Sequence, residues 1–187
     1  MAIRRILKFP EPFLRGTARP VENITGETAQ WVEDMAQTMY AAPGIGLAAP
    51  QVGLDQRIIV LDVGEDEEEP GKDRGKHLIH LVNPVIAESE GETTFEEGCL
   101  SVVDFRAEVQ RAAKVLVKGW DVNQRELAIE ADGLLAVALQ HEIDHLDGTL
   151  FIDRLSRLKR EMYVKRVKKA LREGRPIAQG RAASERS

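Results

Sequence analysis

Gln140-His141-Glu142-Ile143-Asp144-His145 is the stretch on which the reading of this chain turns. It holds the pattern His-Glu-x-x-His inside a segment, Gly133 to Leu146, that predicts a single helix. At 3.6 residues per turn, positions i and i+4 share one face a turn apart, so His141 and His145 can direct both imidazoles at one cation. Glu142 stands one residue round from the first histidine. It flanks the cation without binding it, where a general base for an attacking water belongs. Leu134, Val137 and Ala138 continue the histidine stripe toward the helix N-terminus. Two solvated surface histidines are the plain alternative, but polar rings on an apolar face need a partner, and a metal supplies one.

A catalytic metal with one open position takes three protein ligands. Cys99 is the only cysteine, so an internal disulfide is excluded. A lone cysteine ordinarily reads as a small buried hydrophobe. Here it follows Gly98 in a tight segment between strands, and the helix is one ligand short. A Cys-His-His set is tetrahedral with the fourth position open, and its single thiolate leaves part of a dication's charge to lower the pKa of water.

The 187 residues, 43% of them hydrophobic, suit one domain with a sizeable core. We expect that domain over residues 1–173, with 174–187 a disordered tail. No apolar run approaches the roughly 20 residues that span a bilayer. Pro10 and Glu11 interrupt the N-terminal stretch before a signal-peptide core develops, so the expected compartment is the cytoplasm. The formal charge of −5 is unevenly spread: from Arg154 to Ser187, 12 Lys and Arg face 3 acidic residues, or +9, leaving −14 on residues 1–153. Such a basic end is either a solvated face or a surface for a polyanion.

Along the chain, Ile3 to Pro10 is a short apolar lead-in. Thr25 caps a helix to about Ala41, with Val32, Met35, Ala36 and Met39 at helical spacing. Gly44 to Gln51 lets backbone approach something closely, and it lacks the Lys-Ser/Thr of a phosphate loop. Strands are expected over Arg57–Val63, Leu78–Ala87 with a break at Asn83-Pro84, Thr93–Phe95, Ala107–Gln110, Ala113–Trp120 and Glu126–Glu130. The acidic 64–76 stretch reads as a solvated loop. Asp132 caps the metal helix, Gly148 ends it, and Asp153 caps a last basic helix over about 153–173.

Three separated motifs, Gly44 to Gln51, Glu97-Gly98-Cys99-Leu100-Ser101 and Gln140 to His145, resemble those of the bacterial peptide deformylases, and the similarity runs from about Ile3 to Leu155. The resemblance implies an α+β fold, with mixed and antiparallel strands around a central metal-binding helix and an additional C-terminal helix. It implies a metal-dependent hydrolase that removes the N-formyl group, as formate, from the N-terminal formylmethionine of newly synthesised proteins. Cys99, His141 and His145 would bind the metal, and Glu142 would move the proton. The Gln51 side-chain amide and the Leu100 backbone N–H would stabilise the oxyanion. Ile45, Phe95, Leu134, Val137 and Ala138 would line the methionine slot. Gly46 and Leu47 would pair with the extended peptide by strand addition, and Arg106 would contact it. One departure is Val103, where relatives commonly carry proline.

Sulfur and nitrogen ligands make zinc the physical default. The resemblance implies Fe(II) in the cell, with Ni(II) or Co(II) as active substitutes. Expected partners are N-formylmethionyl nascent peptides and, through the basic helix, the ribosome. No DNA or membrane partner is expected, and the chain should be a monomer. Two rivals are a metallopeptidase with the same ligands and a ribosome-associated binding protein with a closed metal site. Glu142 argues against the second, since a closed site has no use for a flanking base.

Overall fold

The structure, a computed structural model, describes residues 2–64 and 75–175. Its first helix, α1 (Gly26–Ala41), buries Val32, Met35, Ala36 and Met39, the positions that helical periodicity selects. The strands are β1 (Gly46–Ala48), β2 (Ile58–Leu61), β3 (Ile79–Glu90), β4 (Thr93–Cys99), β5 (Val102–Arg111), β6 (Lys114–Trp120) and β7 (Glu126–Asp132). Five form one sheet in the order β1-β2-β3-β6-β7, and β4 pairs with β5 as a separate ribbon. All these pairings are antiparallel, and an isolated bridge between Arg19 and Gln56 supplies a parallel element. The helix α2 (Gly133–Leu146) follows β7 directly, and α3 (Arg157–Arg172) closes the described chain. The fold is therefore the expected α+β arrangement of strands around a metal-type helix.

Four neighbouring apolar residues of β2 explain how two layers share this sheet. Successive strand side chains point to opposite faces. Ile59 and Leu61 pack with Leu81, Val115, Val117 and, from α2, Leu139, Ile143 and Leu146. Ile58 and Val60 turn the other way, toward Met35, Met39 and Leu47. A third core joins Leu14, Val102, Val109, Phe151, Tyr163 and Val167, fastening the ribbon and α3 to the body.

Where β3 breaks, Asn83 adopts a positive φ of 52°, and the register shifts between Val82 and Val85. Its side chain satisfies the backbone of Val21 in both senses, accepting from the N–H at 2.8 Å and donating to the carbonyl at 2.9 Å. At the end of α2, Gly148 has φ 70°, and a Cβ there would lie 2.5 Å from the Arg15 carbonyl oxygen. Only glycine fits that crossing.

Some boundaries differ from the sequence reading. β4 runs on to Cys99 and β5 starts at Val102, because pairing from Thr93↔Arg111 to Gly98↔Arg106 carries residues such as Glu96 and Glu97, of low strand propensity. The last helix starts at Arg157, not Asp153. Asp153 belongs to a short 3-10 helix, Phe151–Arg154, accepts from the Leu150 N–H at 2.9 Å and pairs with Arg15. Ser156 is the N-cap, its hydroxyl accepting from the Lys159 N–H. Most of the acidic stretch (65–74) and of the expected tail (176–187) lies outside the described residues.

Leu139 is fully buried in the core between α2 and the sheet. Leu139→Ala should lower the free energy of unfolding by about 2–5 kcal/mol, read from urea denaturation with an unchanged denaturant slope.

Candidate metal centre

Helix α2 brings His141 and His145 against the end of β4, where the register slips between Gly98 and Cys99 and the ribbon turns. The ligating atoms of Cys99, His141 and His145 lie within 4.8 Å of one another, and Cys99 Sγ is 3.2 Å from His145 Nε2. The imidazoles meet edge-on with centroids 5.1 Å apart. One soft sulfur and two nitrogens, all from buried or half-buried residues, fit a single transition-metal cation. The set predicted from sequence is therefore brought together.

The two histidines are held differently. His141 Nδ1 lies 2.7 Å from Glu97 Oε2, which fixes the tautomer that leaves Nε2 for the cation. Glu97 also accepts two hydrogen bonds from Arg111, at 2.7 and 2.9 Å. Arg111 donates in turn to Asp144 at 2.6 Å, and Asp144 accepts twice from Arg154. Burial alone would raise the pKa of Glu97, but Arg111 and His141 outweigh it and bring it down to about 2. Burial also opposes charge on His141; its contacts with Cys99 and Glu97, and the charges of Cys99 and Glu142, win and hold its pKa well above the imidazole value. His145 is neutral: burial, then the neighbouring His141 and Arg111, push its pKa well down. Its buried Nδ1 has no hydrogen-bond partner among the described residues.

Glu142 is 5% exposed, and its Oε2 likewise lacks a partner. Burial raises its pKa to about 7. The carboxylate rests against Gly46 of β1, so closely that a methyl group there would collide with Oε1. This explains one glycine of the Gly44–Gln51 motif.

Gln51 lies in the short 3-10 helix Ala49–Val52, and its Oε1 accepts from the Ala48 N–H at 2.8 Å. That bond turns Nε2 toward the centre, 3.1 Å from Ser101 Oγ and 3.6 Å from Cys99 Sγ. Leu100 sits in the ribbon turn directly after Cys99, and the Ser101 N–H points at Cys99 Sγ from 3.4 Å.

The expected peptide-contact residues are placed less uniformly. Ile45 is half-buried at the start of β1, with its carbonyl accepting from Asp62. Gly46 and Leu47 lie on β1, an edge strand of the five-stranded sheet, while the Leu47 side chain enters the core beneath α1. Arg106 stands opposite Gly98 on the ribbon, largely exposed, with Glu96 at 3.7 Å. Phe95 is half-buried opposite Val109. Leu134 and Val137 belong to none of the three cores, whereas Ala138 joins the sheet-side core. Three residues before His141 the helix is turned by about 60°, which carries Ala138 toward the sheet.

Sequence reasoning did not single out Glu97, Arg111 or Asp144. Glu97 and Asp144 lie inside two of the quoted motifs, so a signal existed. Arg111 offers none, since only the packing of the ribbon on α2 brings it between two carboxylates.

The family model for polypeptide deformylase matches residues 3–161. A peptide deformylase of Syntrophobacter fumaroxidans is 50% identical over 173 residues, spanning 92% of this chain and 98% of the relative. One from Rhizobium meliloti is 47% identical over 171 residues, or 91% and 95%. The crystal structure of a peptide deformylase from Legionella pneumophila superposes with a TM-score of 0.82 at 46% identity, covering 92% of this chain and 98% of that one. That of the Ehrlichia chaffeensis peptide deformylase in complex with actinonin gives 0.83 at 38% identity, covering 92% and 99%. With the family model, close relatives and solved structures agreeing over nearly its whole length, the chain belongs to the polypeptide deformylase family.

Proposed function

We propose that the hydrolysis for which this family is named, removal of the N-formyl group from newly made peptides, runs in this chain at the centre between α2, β1 and the ribbon turn. The observation that carries this reading is the convergence of a Cys-His-His set of candidate ligands with the buried Glu142, whose Oε2 has no hydrogen-bond partner among the described residues. Peptide deformylases are metalloenzymes, and Cys99, His141 and His145 would hold the cation here. A divalent cation held there would supply Lewis acidity, lowering the pKa of water and polarising a carbonyl oxygen.

The remaining steps belong to the protein's own groups. Glu142, with a pKa near neutrality, takes a proton from the attacking water and delivers it to the amine nitrogen as the C–N bond breaks. Gln51 Nε2 and the Leu100 N–H donate to the oxygen on which negative charge develops, each worth about 10²–10³ in rate. The free edge of β1 accepts the peptide backbone at Gly46 and Leu47, and Arg106 contacts the chain beyond. The methionine side chain would lie among Ile45, Phe95, Leu134, Val137 and Ala138.

Fe(II) is the ion we infer for the cell, with Ni(II), Co(II) and Zn(II) able to occupy the same donors. No described helix is long and apolar enough to cross a membrane. We place the enzyme in the cytoplasm as a monomeric single domain over about 1–173, acting on formylmethionyl chains as they emerge, without a DNA partner. The exposed Lys165, Lys168 and Lys169 of α3 suit ribosomal RNA, whereas Tyr163 and Val167 anchor the helix in the third core.

Formate release from a formyl-Met tripeptide should be rapid in protein purified without oxygen and loaded with Fe(II) or Ni(II), and slower with Zn(II). Glu142→Ala should keep its metal and lose turnover by several orders of magnitude; a fully loaded wild type that releases no formate would refute the assignment. Glu97→Gln should weaken metal binding by about 10–100-fold in chelator competition, because His141 loses its charged orienting partner. Replacing Lys165, Lys168 and Lys169 by Gln should weaken ribosome cosedimentation at low salt and leave tripeptide turnover unchanged, and equal binding would remove α3 as the docking surface.

A further inference from the structure

From sequence, Ile3 to Pro10 reads only as an apolar lead-in, and the chemistry above makes no use of it. In the fold it lies along two segments close to Cys99, the 3-10 helix Ala49–Val52 and the ribbon turn. The Leu7 N–H donates to the Gln51 carbonyl at 2.7 Å, and the Phe9 N–H donates to the Ser101 carbonyl at 2.8 Å. Between these two fixed points, Lys8 Nζ donates to the Leu100 carbonyl at 2.6 Å.

That carbonyl belongs to the same peptide unit as the Ser101 N–H, which points at Cys99 Sγ from 3.4 Å. A donor pulling on a peptide oxygen polarises the unit and strengthens the bond its N–H gives, so the contacts form one cooperative chain. The ammonium and the sulfur also feel each other directly. Burial lowers the pKa of Lys8 and the charge of Cys99 raises it. Gln51 Nε2 approaches the same sulfur at 3.6 Å, and His145 Nε2 lies 3.2 Å from it.

We propose that Lys8 is a positioning residue for the thiolate ligand, acting through the Leu100–Ser101 peptide to strengthen the hydrogen bond that Cys99 receives and so withdraw electron density from its sulfur. The proposal rests on reading Cys99, His141 and His145 as the metal ligands. Hydrogen bonds to a ligating sulfur tune the electronics and redox behaviour of the site they surround. A less donating thiolate leaves more positive charge on a bound cation and makes a ferrous site harder to oxidise. The N-terminal strap thus serves both function and attachment. Its backbone sets the spacing of the Gln51 and Ser101 segments, and its one lysine adjusts the sulfur between them.

The test is the thiolate-to-metal charge-transfer absorption of the cobalt(II)-loaded protein, compared among wild type, Lys8→Met and Lys8→Arg at equal cobalt content. Lys8→Met should move the band to longer wavelength, Lys8→Arg should hold it near the wild-type position, and the ferrous form of Lys8→Met should lose activity faster in air. A Lys8→Met band superimposable on wild type would overturn the proposal, as would equal shifts in both variants, which would mean that the side chain only packs. Absence of any such band in fully loaded wild type would instead remove Cys99 from the ligand set, and with it the reading on which this inference rests.

Discussion

Glu97 sits between a guanidinium and the imidazole of His141, a candidate metal ligand, and the site depends on that arrangement. Arg111, Glu97 and Asp144 are each 9% exposed or less. Removing charges of this kind from water costs several kcal/mol per ion, which their mutual attraction offsets only when geometry and hydrogen bonding are nearly complete. Here they are: Arg111 uses Nε and Nη2 on Glu97 and Nη1 on Asp144, and Glu97 Oε2 also meets His141 Nδ1. The chain ties β4 and β5 to α2 by directional bonds where the apolar core supplies only pressure. It also makes the two histidines unequal. His141 is oriented by a carboxylate, while the His145 Nδ1 has no hydrogen-bond partner among the described residues, which leaves that ring to packing.

The sequence was most readable where one rule acted alone. Helix α2 has the predicted bounds, Gly133 to Leu146, because a continuous apolar pattern begins after Asp132-Gly133 and stops before Gly148. That Cys99, His141 and His145 come together was readable for a related reason: i and i+4 spacing on a helix puts two candidate ligands on one face, and the single cysteine left one candidate for the third. Readability fell where tertiary contacts compete with local preference. β4 extends through Glu96 and Glu97 because β5 pairs with it, and Arg111 acquires its role only when the ribbon folds onto α2. Asp153 has the composition of an N-cap, yet its carboxylate is taken by the Leu150 N–H and Arg15, so the helix waits for Ser156.

The substrate side obeys a different constraint. An edge strand can accept a peptide only if its backbone stays available while its side chains hold it in place. β1 meets both demands: Leu47 is anchored in the core under α1, and Gly46 leaves room for Glu142 to approach the strand. The glycine is thus required by the neighbouring carboxylate, independently of any turn. Gly46 and Glu142 are in contact, so the placement of β1 and the placement of that carboxylate are coupled by construction.

Helix α3 looks from its composition like a separate basic appendage, but its packing argues otherwise. Tyr163 stacks on Phe105 with centroids 4.6 Å apart, Phe105 on Phe151 at 6.0 Å, and Phe151 on His141 at 6.0 Å. An aromatic series therefore runs from the last helix to His141, and Arg154, next in sequence to the 3-10 helix's Asp153, clasps Asp144 beside it. Cutting the chain before α3 would open the third core and disturb His141, whatever α3 binds. The proposed docking role of α3 can be separated from its structural role through the lysines that face solvent, because those side chains take no part in the stack that reaches His141.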